Sequence, residues 1–172
     1  MEIKSLEGVP FDNIFLAFSR AFEDYEVQLN KEQLIKMLKR RGFDPGLSFA
    51  VFDSQKIVSF ILNGIGHYKG AATAYDTGTG TLKEYRGKGL ATALFNYSIP
   101  FLRQHSIHQF LLEVIQGNTS AVSVYKRLEF NITREFNYYI REKSKLIRVE
   151  NGTGKFHVIR PDRLHQLINP SL

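Results

Sequence analysis

The 172-residue sequence has no cysteine, which excludes disulfides, thiolate metal sites and a cysteine nucleophile. It also lacks any apolar run near the roughly 20 residues that cross a bilayer. Its opening, Met1-Glu2-Ile3-Lys4, is without the basic-then-apolar layout of a signal peptide. A cytoplasmic protein with no membrane association is expected. Dense basic tracts with interleaved aromatics are missing too. The net charge of +6 is spread over short groups such as Lys39-Arg40-Arg41, Arg141/Lys143/Lys145 and Arg160/Arg163. Charge of that kind reads as a solvated surface or as a seat for a small polyanion, and no nucleic-acid partner is expected. His67, His105, His108, His157 and His165 show no ligand spacing with carboxylates, so no metal site is expected. What remains is an ordinary globular composition, 43% hydrophobic and 23% charged, at a length that suits one domain.

Phe11, Ile14, Phe15, Phe18, Ala21 and Phe22 recur at helical spacing and predict a helix over 11–24 with Asp12 as N-cap. A second helix is predicted from Asn30, with Gln33 as its capping-box partner. Residues 47–52 and 57–65 read as a hairpin around Asp53-Ser54-Gln55, and 71–81 as a third, Thr- and Gly-rich strand. A long helix is predicted over 88–104, with Pro100 expected to kink or shorten it. A strand at 110–115, a helix at 118–128 and a strand at 131–140 follow. In the tail, strands at 146–149 and 156–159 flank an Asn151-Gly152 turn, and a short helix is predicted after Pro161. The expected class is α/β (α+β), a mixed sheet with helices on its faces.

The most informative segment runs from Thr79 to Thr92, where a strand enters a glycine-containing loop that becomes a helix. The first N–H groups of a helix have no intrahelical partner and carry partial positive charge. Gly87 and Gly89 let backbone approach an anion, and Arg86 and Lys88 add charge, so the loop suits a pyrophosphate. It lacks the Gly-Lys-Ser/Thr ending of a P-loop. Thr92 stands where the dinucleotide fingerprint needs its third glycine.

Arg86-Gly-Lys-Gly89-Leu-Ala91 resembles the acetyl-CoA signature of the GNAT superfamily, Arg/Gln-x-x-Gly-x-Gly/Ala. A second segment, Leu111-Leu-Glu113 followed by Asn118, Ala121, Tyr125, Leu128 and Phe130, is similar to that family's Asn-x-x-Ala-x-x-x-Tyr-x-x-x-Gly-Phe unit, with Glu129 in place of the glycine. The resemblance implies a GNAT fold with a mixed, mostly antiparallel sheet. It implies acetyl-CoA as cosubstrate, contacted by Thr79, Gly80, Thr81, Arg86, Gly87, Lys88, Gly89, Leu90, Ala91, Thr92, Asn118 and Tyr125. Residues 1–140 would form the acetyltransferase domain and 141–172 a C-terminal β/helix extension of it.

Direct acyl transfer needs a base for the amine and an acid for the leaving thiolate. The spacing resembles that of ribosomal-protein N-terminal acetyltransferases, which implies Glu113 as base and Tyr125 as acid. Glu113 lies in an otherwise apolar strand, where partial burial would raise its pKa; a structural carboxylate is the alternative. Asp76 and Tyr75 are weaker candidates. Phe22, Tyr25, Tyr138 and Tyr139 are candidate acceptor-binding residues. The implied reaction is acetylation of a primary amine (a protein N-terminus, a lysine or a small molecule); a non-catalytic CoA-binding module is the alternative. The tail is expected either to complete the sheet or to form a homodimer edge.

Overall fold

The computed structural model describes residues 1–25, 28–137 and 163–169. In chain order the elements are β1 (Glu2–Ser5), α1 (Phe11–Ala21), α2 (Lys31–Arg40), β2 (Phe49–Asp53), β3 (Lys56–Tyr68), β4 (Ala71–Thr81), α3 (Leu90–Gln104), β5 (Gln109–Ile115), α4 (Thr119–Arg127), β6 (Asn131–Asn137) and β7 (Arg163–Asn169). A single 3₁₀ turn, Lys83–Tyr85, leads from β4 towards α3.

The seven strands form one sheet in the order β1-β2-β3-β4-β5-β7-β6. Every pairing is antiparallel except β4 with β5. Side chains alternate faces along a strand, and this sorts the helices. Phe60 meets Phe18 of α1, while Phe49, paired in register with Ile61, meets Phe101 of α3. Residues 60 and 61 point to opposite sides, so α1 and α3 cover opposite faces. Gly64 belongs to the α1 face and lies so near the Arg41 carbonyl, just past α2, that a Cβ there would sit 1.9 Å from it. Phe95 of α3, Tyr125 of α4 and Phe110 of β5 close the core on the other face.

α2 starts as predicted, with Asn30 and Gln33 exchanging both capping-box hydrogen bonds at 2.9 Å. α1 differs at both ends. Its N-cap is Pro10, with Asp12 inside the first turn, where a carboxylate favours the helix dipole and pairs with Lys31; the helix stops at Ala21. α3 begins at Leu90 because Gly89 takes a left-handed φ of 74° as its N-cap, and it runs on through Pro100 to Gln104. β1 was not foreseen.

The tail corrects a further expectation. Instead of a helix after Pro161, Arg163–Asn169 is a strand inserted between β5 and β6 and paired on both sides. Leu164, Leu167 and Ile168 have helical spacing, but two open strand edges supply hydrogen bonds that a lone helix would not gain. This segment joins β5 to β6 in the sheet, and among the described residues the edge falls to β6. The strands expected at 146–149 and 156–159, and the turn at 151–152, lie outside the described residues.

Candidate active site

β4 and β5 pair only through Thr73–Tyr75 and Gln109–Leu111, although both continue beyond. They part next to a bulge. On β3, Leu62 is paired with Gly78 and Asn63 with Asp76, which leaves Thr77 as an extra residue that bends β4. Past the bulge the strand has a bare edge. The Gly80 carbonyl is held towards β3 by the Ser59 hydroxyl at 3.1 Å, so by alternation those of Thr79 and Thr81 face the gap. Arg86 Nε donates to the Thr81 carbonyl at 3.2 Å, and the Thr79 carbonyl is left to a ligand.

A cleft of about 550 Å³ opens from this edge to the start of α3. Gly87 and Gly89 have φ of 76° and 74°, and a Cβ at either would meet nothing within 4 Å. Conformation, not crowding, therefore calls for glycine. Gly89 caps α3 without a side-chain bond, so the first-turn N–H groups remain free for an anion. Thr79, Gly80, Thr81, Arg86, Gly87, Gly89, Leu90, Ala91, Thr92, Asn118 and Tyr125 all line the cleft. Lys88 does not; its ammonium sits 4.7 Å from the centre of the Tyr85 ring.

Arg86 takes an unexpected part. Its guanidinium donates to the Ala21 carbonyl at 2.9 Å and to Asp24 at 3.3 Å, besides the bond to Thr81. It fastens the end of α1 to the loop instead of pointing at a phosphate. Beyond this clamp Phe22 and Tyr25 form a wall of the cleft, and the Tyr25 hydroxyl accepts a hydrogen bond from Asn118 Nδ2 at 3.2 Å. Asn118 also caps α4 by accepting from the Ala121 N–H. Tyr138 and Tyr139 lie outside the described residues. The sequence reading missed Ala121, Val124 and Arg127, which also line the cleft. Their spacing with Tyr125 along one helix face was a usable signal.

Tyr125 is 9% exposed and packs its ring against Phe95 and Phe130 at 5.7 and 5.9 Å. Its backbone is fixed as well. Phe130 N–H donates to the Tyr125 carbonyl and Glu129 N–H to that of Lys126, the two bonds of a Schellman turn. Glu129 holds the left-handed φ of 63° that this turn requires. Burial first, then the charge of Asp76 and the nearby Tyr25, push the Tyr125 phenol well above its ordinary pKa.

Glu113 is exposed, which corrects the expectation of partial burial. Phe110, Leu112 and Val114 turn to the α3/α4 face and are buried, so Glu113 turns to the α1/α2 face where β4 has already moved away. There it lies on the same face as Tyr75. Burial above all raises that phenol's pKa, with Arg41 opposing and Glu113 and Asp76 adding. The Arg41 guanidinium stands 5.2 Å from the centre of the Tyr75 ring. Asp76, on the α3/α4 face, is raised from an ordinary 3.8 to about 6 by burial, against the hydrogen bonds from Thr79 and Gly78 and the charge of Arg41. Glu113 and Tyr75 thus lie on one side of the β4–β5 gap, and Tyr125 and Asp76 on the other.

The profile of the acetyltransferase (GNAT) family matches residues 12–130. N-alpha-acetyltransferase 30 of Schizosaccharomyces pombe is 28% identical over 117 residues, 67% of this chain and 71% of that protein. Among solved structures, the ribosomal-protein-S18-alanine N-acetyltransferase of Escherichia coli superposes with a TM-score of 0.72 at 17% identity, covering 99% of this chain and 93% of that one. Arabidopsis thaliana Naa50, solved with a bisubstrate analogue, CoA-Ac-MVNAL, has a TM-score of 0.67 at 19% identity over 98% and 97% of the two chains. A parted β4–β5 pair, a glycine loop opening a helix, and this match over most of the sequence lead to one assignment: the chain belongs to the acetyltransferase (GNAT) family and is an N-acetyltransferase whose acyl donor is acetyl-CoA.

Proposed function

We propose that the enzyme acetylates free N-termini of peptides by direct transfer, with Glu113 taking the proton of the amine and Tyr125 giving one to the leaving sulfur. The observation that carries this is the placement of the two groups on opposite faces of one gap, which opens into the cofactor cleft. As the amine nitrogen bonds to the acetyl carbon it sheds a proton, and as the carbon–sulfur bond breaks the sulfur gains one. Glu113, open to solvent, meets an amine arriving from the α1/α2 face and passes its proton to water. Tyr125, buried on the cofactor side, keeps its proton at neutral pH, and that proton passes to the sulfur as the carbon–sulfur bond breaks. The orphan N–H groups after Gly87 would hold the pyrophosphate, and the bare Thr79 carbonyl the amide of the pantetheine arm. An α-amine acceptor is favoured because the relatives bear the names of N-terminal acetyltransferases.

The absence of cysteine makes the assay simple, because a thiol reagent reads only the CoA released. With acetyl-CoA and a pool of unblocked peptides, thiol release should be peptide-dependent. Glu113→Gln and Tyr125→Phe should each slow it by about 100-fold, the lower end of acid–base contributions. Wild-type turnover in both variants would remove the acid–base assignment. Acetylation confined to lysine side chains or small amines would move the acceptor.

A further inference from the structure

Among the described residues, two charged side chains line the cleft, Arg86 and Arg127. Arg86 is committed elsewhere. Its N–H groups go to Ala21, Asp24 and Thr81, and the Asp24 carboxylate balances its charge. Arg127, the last residue of α4, makes one side-chain hydrogen bond, to the Ser123 hydroxyl at 3.4 Å, and no described carboxylate lies within 4 Å of it. That bond reaches back one turn, so the guanidinium lies along α4 and not beyond its end. α4 turns two stripes to the cleft. Ala121 and Tyr125 form the inner one, and Tyr125 is buried against Phe95. Ser120, Val124 and Arg127, at i, i+4 and i+7, form the outer one, where Ser120 and Arg127 are exposed.

We propose that Arg127 forms a subsite for the ribose 3′-phosphate of coenzyme A, by which the enzyme prefers CoA thioesters to those of dephospho-CoA. The proposal rests on the reading of the loop after Gly87 as the pyrophosphate seat. With the pyrophosphate at the start of α3 and the acetyl end at Tyr125 on the inner stripe, the nucleotide is left to the outer stripe. It carries a phosphomonoester there, with close to two negative charges at neutral pH. The loop N–H groups satisfy one anion, and Arg86, already paired, does not supply a charge for a second. Arg127 does. Its planar guanidinium presents paired donors that match two phosphate oxygens. Little is given up when it turns, because its present bond is long and made to a neutral hydroxyl. Being exposed, the contact is open to screening by salt.

Calorimetric titration of wild type, Arg127→Gln and Lys126→Gln with CoA and with 3′-dephospho-CoA, at pH 7.5 and low salt, tests this without reference to turnover. Wild type should bind CoA about tenfold more tightly than dephospho-CoA, the lower end for hydrogen bonds to charged groups. Arg127→Gln should lose about that factor for CoA and keep its affinity for dephospho-CoA, so that the preference disappears. Lys126 does not line the cleft, and Lys126→Gln, which removes the same charge one residue away, should keep the preference. Added salt should shrink the preference in wild type. Equal affinity of wild type for the two ligands would overturn the proposal and leave the pyrophosphate reading standing. An Arg127→Gln variant that weakens both ligands alike would also overturn it, placing the guanidinium on the pyrophosphate. A loss of preference in Lys126→Gln as large as in Arg127→Gln would reduce the effect to net charge and equally overturn it. If wild type binds neither ligand, the pyrophosphate reading has failed and the proposal falls with it.

Discussion

Asp76 makes stability depend on pH in a direction opposite to most carboxylates. Its pKa rises from an ordinary 3.8 to about 6 on folding, because burial outweighs its two hydrogen bonds and the pull of Arg41. The folded state therefore holds this proton more tightly than the unfolded chain does. Its contribution to stability is complete below pH 3.8, falls as the pH climbs through that window, and is lost above about 6. At about 1.4 kcal/mol per pH unit the displacement is worth about 3 kcal/mol. Asp76→Asn removes that cost. It keeps the bond from Gly78, and the Thr79 hydroxyl can turn to accept from the new amide; the strength these bonds gain from the charge is already contained in the net shift. The variant should thus be about 3 kcal/mol more stable than wild type at pH 7.5. For a chain of this size that is a rise of roughly 6–12 °C in melting temperature. At pH 4 the difference should vanish. Urea titrations of both proteins from pH 4 to 7.5 measure it directly, since other carboxylates cancel in the difference. A variant less stable at pH 7.5, or a difference constant across the range, would show that Asp76 is not a buried charge held at a cost.

Other substitutions probe the frame of the cleft. Gly80→Ala places a Cβ 2.6 Å from the Phe60 ring and 2.9 Å from the Ala21 methyl. It should destabilise by about 1–3 kcal/mol in denaturant titration and weaken acetyl-CoA binding by pushing α1 off β4. Arg86→Met cuts the clamp on Ala21, Asp24 and Thr81, and should raise the calorimetric Kd for acetyl-CoA more than it lowers kcat. Saturating acetyl-CoA should raise the melting temperature of wild type, and by less in Arg86→Met. Glu129→Gly relieves a left-handed residue while keeping both Schellman bonds, and should stabilise by about 1 kcal/mol with unchanged kcat.

The parts legible in the sequence were those governed by local rules. The Asn30/Gln33 capping box, the 71–81 strand and the glycine loop before α3 depend on neighbours a few residues away, and the structure has them where periodicity and capping placed them. What failed depends on distant partners. The apolar spacing of Leu164, Leu167 and Ile168 suits a helix as well as a strand, and the unfilled edges of β5 and β6 decide between them. Glu113 looked buried because its strand neighbours are apolar, but its exposure follows from where β4 departs, which is set by a bulge against β3. Arg86 reads as a phosphate ligand within its motif; only the packing of α1 on Gly80 brings Ala21 and Asp24 within its reach.

Two local penalties meet at Tyr125, and the structure distinguishes them. Glu129 is strained by its side chain alone: a glycine would make the same N–H bond to Lys126 and leave the Phe130 bond to Tyr125 intact, so the strain does nothing to hold Tyr125. Asp76 is different, because what is costly in it is the charge, buried with two neutral hydrogen-bond donors. An uncharged replacement removes that cost. Both substitutions should therefore raise stability, Glu129→Gly at every pH and Asp76→Asn only as the pH climbs above about 4. A gain for Asp76→Asn that does not change with pH would place its cost, like that of Glu129, in geometry and not in charge.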